Sequence, residues 1–136
     1  MDTDDRVDLT GSESRRMLLK GETKAILGCA FDVLNEVGPG FHEKIYENSL
    51  TVAFRQKGIH YDQQCSFPVL FRGELVGEFI PDLLAFNAVI VDTKVVEHIS
   101  DHDRGQMLNY LRVTRKRVGL ILNFKQPRLG WERLVL

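Results

Sequence analysis

An α/β sandwich, with helices covering a mixed β-sheet, is the fold this sequence predicts. Three observations lead there: two helical apolar stripes in the first third, a strand-like composition in the middle, and a capped helix that sets two last strands apart. At 136 residues the chain has the length of one domain with a substantial core. Its 43% hydrophobic and 27% charged residues belong to an ordinary globular protein, which excludes disordered and fibrous classes.

Residues 1–20 are polar, mixed in charge and without period, and read as a mobile arm ahead of a single domain over 21–136. Over 23–37 apolar side chains recur at Ile26, Leu27, Ala30, Val33, Leu34 and Val37, a helical stripe that Gly38-Pro39-Gly40 ends. A second helix is expected at 41–57, with Ile45, Tyr46, Ser49, Leu50, Ala53 and Phe54 inward and Gly58 closing it. Helical spacing sets the carboxylate of Glu43 on the side of Tyr46, Leu50 and Phe54, a charge on a face that otherwise looks buried.

Residues 64–71, 75–80 and 83–96 are rich in Val, Ile, Leu and Phe and are separated by Arg72-Gly73 and Phe86-Asn87 turns. They read as a meander of three or four strands. Ser100 caps a third helix, with Asp103 in capping-box position, that runs to about 114. Strands at 118–124 and 131–136 follow, around a turn at Pro127.

Cys29 and Cys65 are far apart and in no metal-ligand spacing, so packing is their expected role. No apolar run reaches the roughly 20 residues that span a bilayer. The opening MDTDDRVDLTGSESRR has acidic residues and no apolar core of a secretory or transit signal, so the cytoplasm, without a membrane, is the expected location. The net charge of −1 hides an asymmetry, because residues 101–136 hold eight Lys and Arg against three Asp and Glu, leaving −6 on the first hundred. A basic C-terminal third suits a polyanionic partner.

The stretch VIVDTKVV, 89–96, is where chemistry is expected. Alternation puts Asp92 and Lys94 on one face of this strand and Val91, Thr93 and Val95 on the other. A hairpin across the Phe86-Asn87 turn brings Asp82 alongside Asp92, so two carboxylates and an ammonium converge. Neighbouring carboxylates raise each other's pKa unless a cation stands between them, and oxygen-only ligands select a hard ion, Mg²⁺ or Mn²⁺. A lysine beside them can orient water and stabilise charge growing on a phosphate under attack, which suits phosphodiester hydrolysis. Taken alone, D-x-K is more often a plain salt bridge at a sheet edge, so its context decides.

That context resembles a known family. Pro81-Asp82, nine residues and then Asp92-Thr93-Lys94 resemble the signature of the PD-(D/E)XK nuclease superfamily. Gly40-Phe41-His42-Glu43-Lys44-Ile45-Tyr46 is similar to the GxxExxY motif that names one small bacterial branch of it. Gln106 to Tyr110 resembles the QxxxY motif of its exonuclease-related branches, and RVGLILNFKQPRLGWERLVL is similar to the usual end of GxxExxY proteins. The resemblance runs from about residue 26 to the C-terminus. It implies a restriction-endonuclease-like core, a central mixed β-sheet flanked by helices in α-βββ-α-β order, here with an extra N-terminal helix. It also implies a site in which Glu43, Asp82 and Asp92 hold metal, the Thr93 backbone carbonyl is a further ligand, and Lys94 orients the attacking water. Gln106 and Tyr110, on one helix face, would border that site and contact substrate phosphate or hold Lys94.

Arg112, Arg115, Lys116 and Arg117 form a basic end to the third helix, where they complement its dipole or contact phosphate along a nucleic-acid groove. His42, His98 and His102 read as exposed helix or loop residues, and Glu97 as a solvated loop carboxylate. Tyr46 reads as a core residue with a tethered hydroxyl, and Trp131 as strand packing. The expected activity is that of a Mg²⁺- or Mn²⁺-dependent nuclease on nucleic acid, DNA ahead of RNA, with a homodimer as one way to surround a duplex. A second reading is a catalytically inactive module that binds nucleic acid or a protein partner, suggested by the small size and by Asp92, one methylene shorter than the Glu of many relatives. A third is a hydrolase of a small phosphoester or nucleotide.

Overall fold

The structure, a computed structural model, describes residues 11–136. Among these residues four helices and seven strands follow one another as α1 (Gly11–Met17), α2 (Lys20–Val37), α3 (Glu43–Lys57), β1 (Tyr61–Gln63), β2 (Phe67–Phe71), β3 (Glu74–Phe79), β4 (Leu83–Ala85), β5 (Val89–Lys94), α4 (Asp101–Thr114), β6 (Val118–Asn123) and β7 (Gly130–Val135). Five strands form a mixed sheet in the order β1-β4-β5-β6-β7. β5 and β6 are parallel and the other neighbours antiparallel.

The expected sandwich is present because alternate residues of the same strands face opposite layers. Leu83, Val91 and Leu120 pack with Ile26, Ala30, Leu50 and Phe54 of α2 and α3, whereas Leu84, Ile90 and Ile121 pack with Met107 and Leu111 of α4. β6 is buried along its whole length, which places it at the centre of the core. α4 comes close to β6 at Gly119, where a Cβ would fall 2.8 Å from Met107 Cγ. Cys29 is buried in the first layer and Cys65 packs against the second, both as free thiols.

Local chemistry sets the boundaries. Ser100 and Asp103 form the full capping box of α4, and Gly58 closes α3 in the left-handed region at φ 70°. Arg72-Gly73 and Phe86-Asn87 each place two successive residues at positive φ, the turn whose twist matches that of a hairpin.

Two expectations are corrected. The strands at 64–71 and 75–80 leave the main sheet and pair only with each other, as a two-stranded hairpin of β2 and β3. Gln64 turns the chain out at φ 57°, and β1, not foreseen, takes the place beside β4. The helix expected at 41–57 begins two residues later behind His42 as N-cap, and its buried face is turned: Glu47 and Thr51 are inside and Ile45 is exposed. Of the arm read over 1–20, residues 1–10 lie outside the described ones; Gly11–Met17 is helical, Leu18 and Leu19 pack on the core, and Arg133 donates to the carbonyls of Arg15 and Leu18.

Candidate active site

β4 begins one residue after Asp82, and the pairing of Leu83 with Val91 brings Asp82 beside the C-terminal end of β5. There its carboxylate takes over the ladder. Oδ2 of Asp82 accepts from the backbone N–H of Thr93 at 2.9 Å and from the Thr93 hydroxyl at 3.0 Å. Asp92 and Lys94 share the opposite face of the strand, as alternation requires, with Lys94 Nζ 3.4 Å from Asp92 Oδ2. Asp103, in the first turn of α4, approaches the same ammonium at 3.9 Å.

Asp82, Asp92 and Lys94 open into a pocket of about 130 Å³ between the sheet and α4, bounded by Phe79, Ile80, Pro81, Ile90, Val91 and Tyr110. Tyr110 stacks on Phe79 with ring centres 3.8 Å apart. Its phenol is pushed up by burial and then by the charge of Asp92. Gln106 falls between Asp103 and Tyr110 at helical spacing, but it does not line this pocket and opens instead onto a separate surface groove with His102, Asn109 and Arg112.

Burial pushes the Asp92 carboxyl up to about 7, Lys94 opposes the rise, and the charge of Asp82 and a hydrogen bond between the two carboxyls add to it. For Lys94 burial works against the ammonium, but Asp92, then Asp103 and last Glu43 outweigh it and hold its pKa above the ordinary value. The Asp103 carboxyl lies below its usual range because the Ser100 backbone donates to it. The cluster is therefore a lysine ammonium that its carboxylate neighbours favour, beside a pair of carboxyls of which Asp92 is the one burial disfavours as an anion.

A hard divalent cation fits this donor set. The two carboxyls offer oxygen alone as ligand atoms, and one of them is burdened by burial in the way a bound cation would relieve. Two carboxylates suffice for Mg²⁺, which completes its shell with water and substrate phosphate. Among the described residues no three His, Cys, Asp or Glu side chains draw together closely enough to hold an ion by themselves.

Glu43 is the first residue of α3 and is exposed, so it stands at the rim and not on the buried face. Its charge nonetheless reaches Lys94. The start of α3 is fixed next to the strand ends by Tyr46, whose hydroxyl donates to Gly38 O at 2.6 Å and accepts from Phe41 N–H at 2.9 Å while its ring lies 4.4 Å from that of Phe124. Gly40 N–H also donates to Phe124 O, and the positive φ values of Gly38 and Gly40, 89° and 85°, are what let the loop turn back so tightly.

Sequence reasoning missed two residues. Glu47, 3% exposed, is the buried carboxylate of α3 and takes Lys44 at 3.1 Å, Gln63 at 2.6 Å and Gln64 at 2.9 Å. Its position four residues after Glu43 and three before Leu50 was the available signal. Asn123, paired with Lys94 across the parallel ladder, holds the chain after β5 by giving Nδ2–H to Val96 O and taking Val96 N–H on Oδ1. Nothing in its local sequence distinguishes it.

The basic end of α4 is not gathered at the pocket. Arg112 donates to Asn109 and, with Arg115, flanks a groove against β2. Lys116 donates to Asn87 O at 3.1 Å, at the far end of β5. At about 3.3 Å per residue that is roughly 16 Å from Asp92 along the strand. Arg117 donates to the carbonyl of Leu136. His42 accepts from Lys44 N–H as N-cap, His98 and His102 are exposed, and Glu97 meets Lys125 in an exposed loop. Trp131 lies on the edge strand β7 and is exposed, so packing does not account for it.

A family model described as the PD-(D/E)XK nuclease superfamily matches residues 20–134. The crystal structure of SSO0001 is similar in fold, with a TM-score of 0.54 at 12% identity, over 89% of this chain and 61% of that one. This chain thus spans less than two thirds of that protein's length. No curated protein matches it. No helix among the described residues is long and apolar enough to cross a membrane.

Proposed function

The chain belongs to the PD-(D/E)XK nuclease superfamily, and from that premise we propose that it hydrolyses phosphodiester bonds of nucleic acid, DNA before RNA, with Mg²⁺ or Mn²⁺ as cofactor. One observation carries the reading: two carboxyls in contact, one pushed up to about 7 by burial, with a lysine ammonium 3.4 Å away. Such a cluster is costly as plain structure, because a buried charge without full compensation is unfavourable.

Asp82 and Asp92 would hold the ion, with the Thr93 carbonyl as a further ligand and the Glu43 carboxylate adding its charge from the rim, and the ion would supply positive charge against the phosphate. Asp82 has one oxygen committed to Thr93, which locks its orientation. Lys94, held between Asp92 and Asp103, orients the attacking water and meets the charge that develops on the phosphate. Tyr110 shields the pocket from solvent and, with Gln106, borders the path of the phosphate. Gly40, Glu43 and Tyr46 support assignment to the GxxExxY branch, with Tyr46 in the role of a staple for the loop that presents Glu43.

The exposed carboxylate of Glu43 favours a second reading, a nuclease-fold module that binds nucleic acid without cutting it. Cleavage of labelled DNA and RNA with Mn²⁺ separates the two. Turnover lost on Asp82→Ala and on Lys94→Ala supports the nuclease; salt-sensitive binding with no metal-dependent cleavage supports the module.

A further inference from the structure

We infer that the β2–β3 hairpin is a base-stacking arm that carries an unpaired nucleic-acid strand to the Asp82, Asp92 and Lys94 pocket. The inference rests on the function proposed above and names the form of substrate it takes.

The hairpin exposes large apolar side chains that nothing in the fold requires. Leu70, Phe71, Leu75 and Val76 are 58%, 60%, 65% and 62% exposed, and they gather around its tip. A two-stranded hairpin is marginally stable by itself, and an exposed apolar cluster of this kind marks a contact surface. At the turn the Arg72 guanidinium lies 4.9 Å over the Phe71 ring. An aromatic face with a cation on it offers a base something to stack on and a phosphate something to pair with.

The hairpin also leads to the site. Phe79, at the root of β3, stacks on Tyr110, and with Ile80 it lines the pocket of Asp82 and Asp92. Between β2 and α4 runs a groove of about 310 Å³ with Pro68, Val69 and Leu70 on one side and Arg112, Val113 and Arg115 on the other. No acid lines it. Glu74 and Glu78, the hairpin's acids, are on β3. Apolar surface interleaved with arginine is the chemistry of single-strand binding, in which bases stack and the backbone follows positive charge. A duplex keeps its bases stacked inside and has little to give four apolar side chains.

Pairing with a second copy is the competing use of such a hairpin. Pro68 on β2, the register shift between Val69 and Leu70, and the two glutamates on β3 all blunt edge-to-edge pairing.

The test compares a base-bearing single-stranded oligonucleotide with an abasic one of the same length, in Ca²⁺ to prevent cleavage. The full chain is expected to bind the base-bearing strand about tenfold more tightly, towards the lower end of what one base–aromatic stack contributes. Phe71→Ala should remove that preference. It should leave both the affinity for the abasic strand and the Mn²⁺-dependent hydrolysis of bis(p-nitrophenyl) phosphate as they were. Equal affinities in the unmodified chain, or a preference that survives Phe71→Ala combined with Leu75→Ala, overturns the arm and leaves the nuclease reading intact. So does a dimer in sedimentation that Leu75→Ser splits, with no base preference. Failure to bind either strand and to hydrolyse the small diester overturns both.

Discussion

Asp82 and Thr93 are joined twice, the carboxylate accepting from the backbone N–H at 2.9 Å and from the hydroxyl at 3.0 Å. The first bond continues the β4–β5 ladder with a side chain; the second fixes which way the other carboxylate oxygen points. Thr93→Val keeps the shape and the first bond and removes the second. It is expected to cost about 1 kcal/mol in urea unfolding and to weaken Mn²⁺ binding about tenfold by calorimetry.

Asp92 sets the pH response of the metal-free protein. Its folded-state pKa of about 7 lies above the ordinary 3.8, so between these values the folded chain keeps a proton that the unfolded chain has released. The stability due to that proton is complete below about pH 4 and is lost as the pH rises through 7. Thermal unfolding should therefore come at lower temperature at about pH 8 than at about pH 5. Asp92→Asn should flatten the difference, and Mn²⁺ should restore the native protein at the higher pH.

Lys94→Met removes the ammonium that opposes burial at Asp92. The loss of stability with pH should move upward, because Asp92 then holds its proton more firmly. Cleavage of DNA should fall about 10²- to 10⁴-fold, the range for a group that handles protons or charge at the reacting atoms.

Tyr46→Phe tests the staple. The variant leaves Gly38 O and Phe41 N–H without their partner but keeps the ring stacked on Phe124. A loss of about 1 to 3 kcal/mol is expected in denaturant unfolding. Cleavage should drop further than the loss of folded protein explains, because Glu43 begins the helix that this loop positions.

Gly119→Ala tests the seat of α4. The added methyl meets Met107 in a packed layer, so the helix or the methionine must move, at about 1 to 3 kcal/mol. Gly119→Ala combined with Met107→Ala should recover part of that, since the shorter side chain clears the space.

The parts of the site that were legible in the sequence are those settled by neighbours along the chain. The face shared by Asp92 and Lys94 follows from strand alternation, the capping box of α4 from Ser100 and Asp103, and the approach of Asp82 to Asp92 from a turn whose two central residues take positive φ. Each depends on a few residues and on backbone geometry that tertiary contacts do not change.

What local pattern left open was decided by packing. Glu43 and Glu47 have similar claims on one helix face, and only the seating of α3 on the sheet put Glu47 inside with Lys44, Gln63 and Gln64 and left Glu43 at the rim. Lys116 reads in the sequence as part of a basic helix end able to contact phosphate, and the direction of β6 carries it to the end of β5 away from Asp92. The β2–β3 segment had the composition of sheet core and became an exposed hairpin, because β1 already held the edge beside β4. Composition says that a residue can be buried; which face is buried, and which strand lies next to which, is a property of contacts between residues distant in the chain.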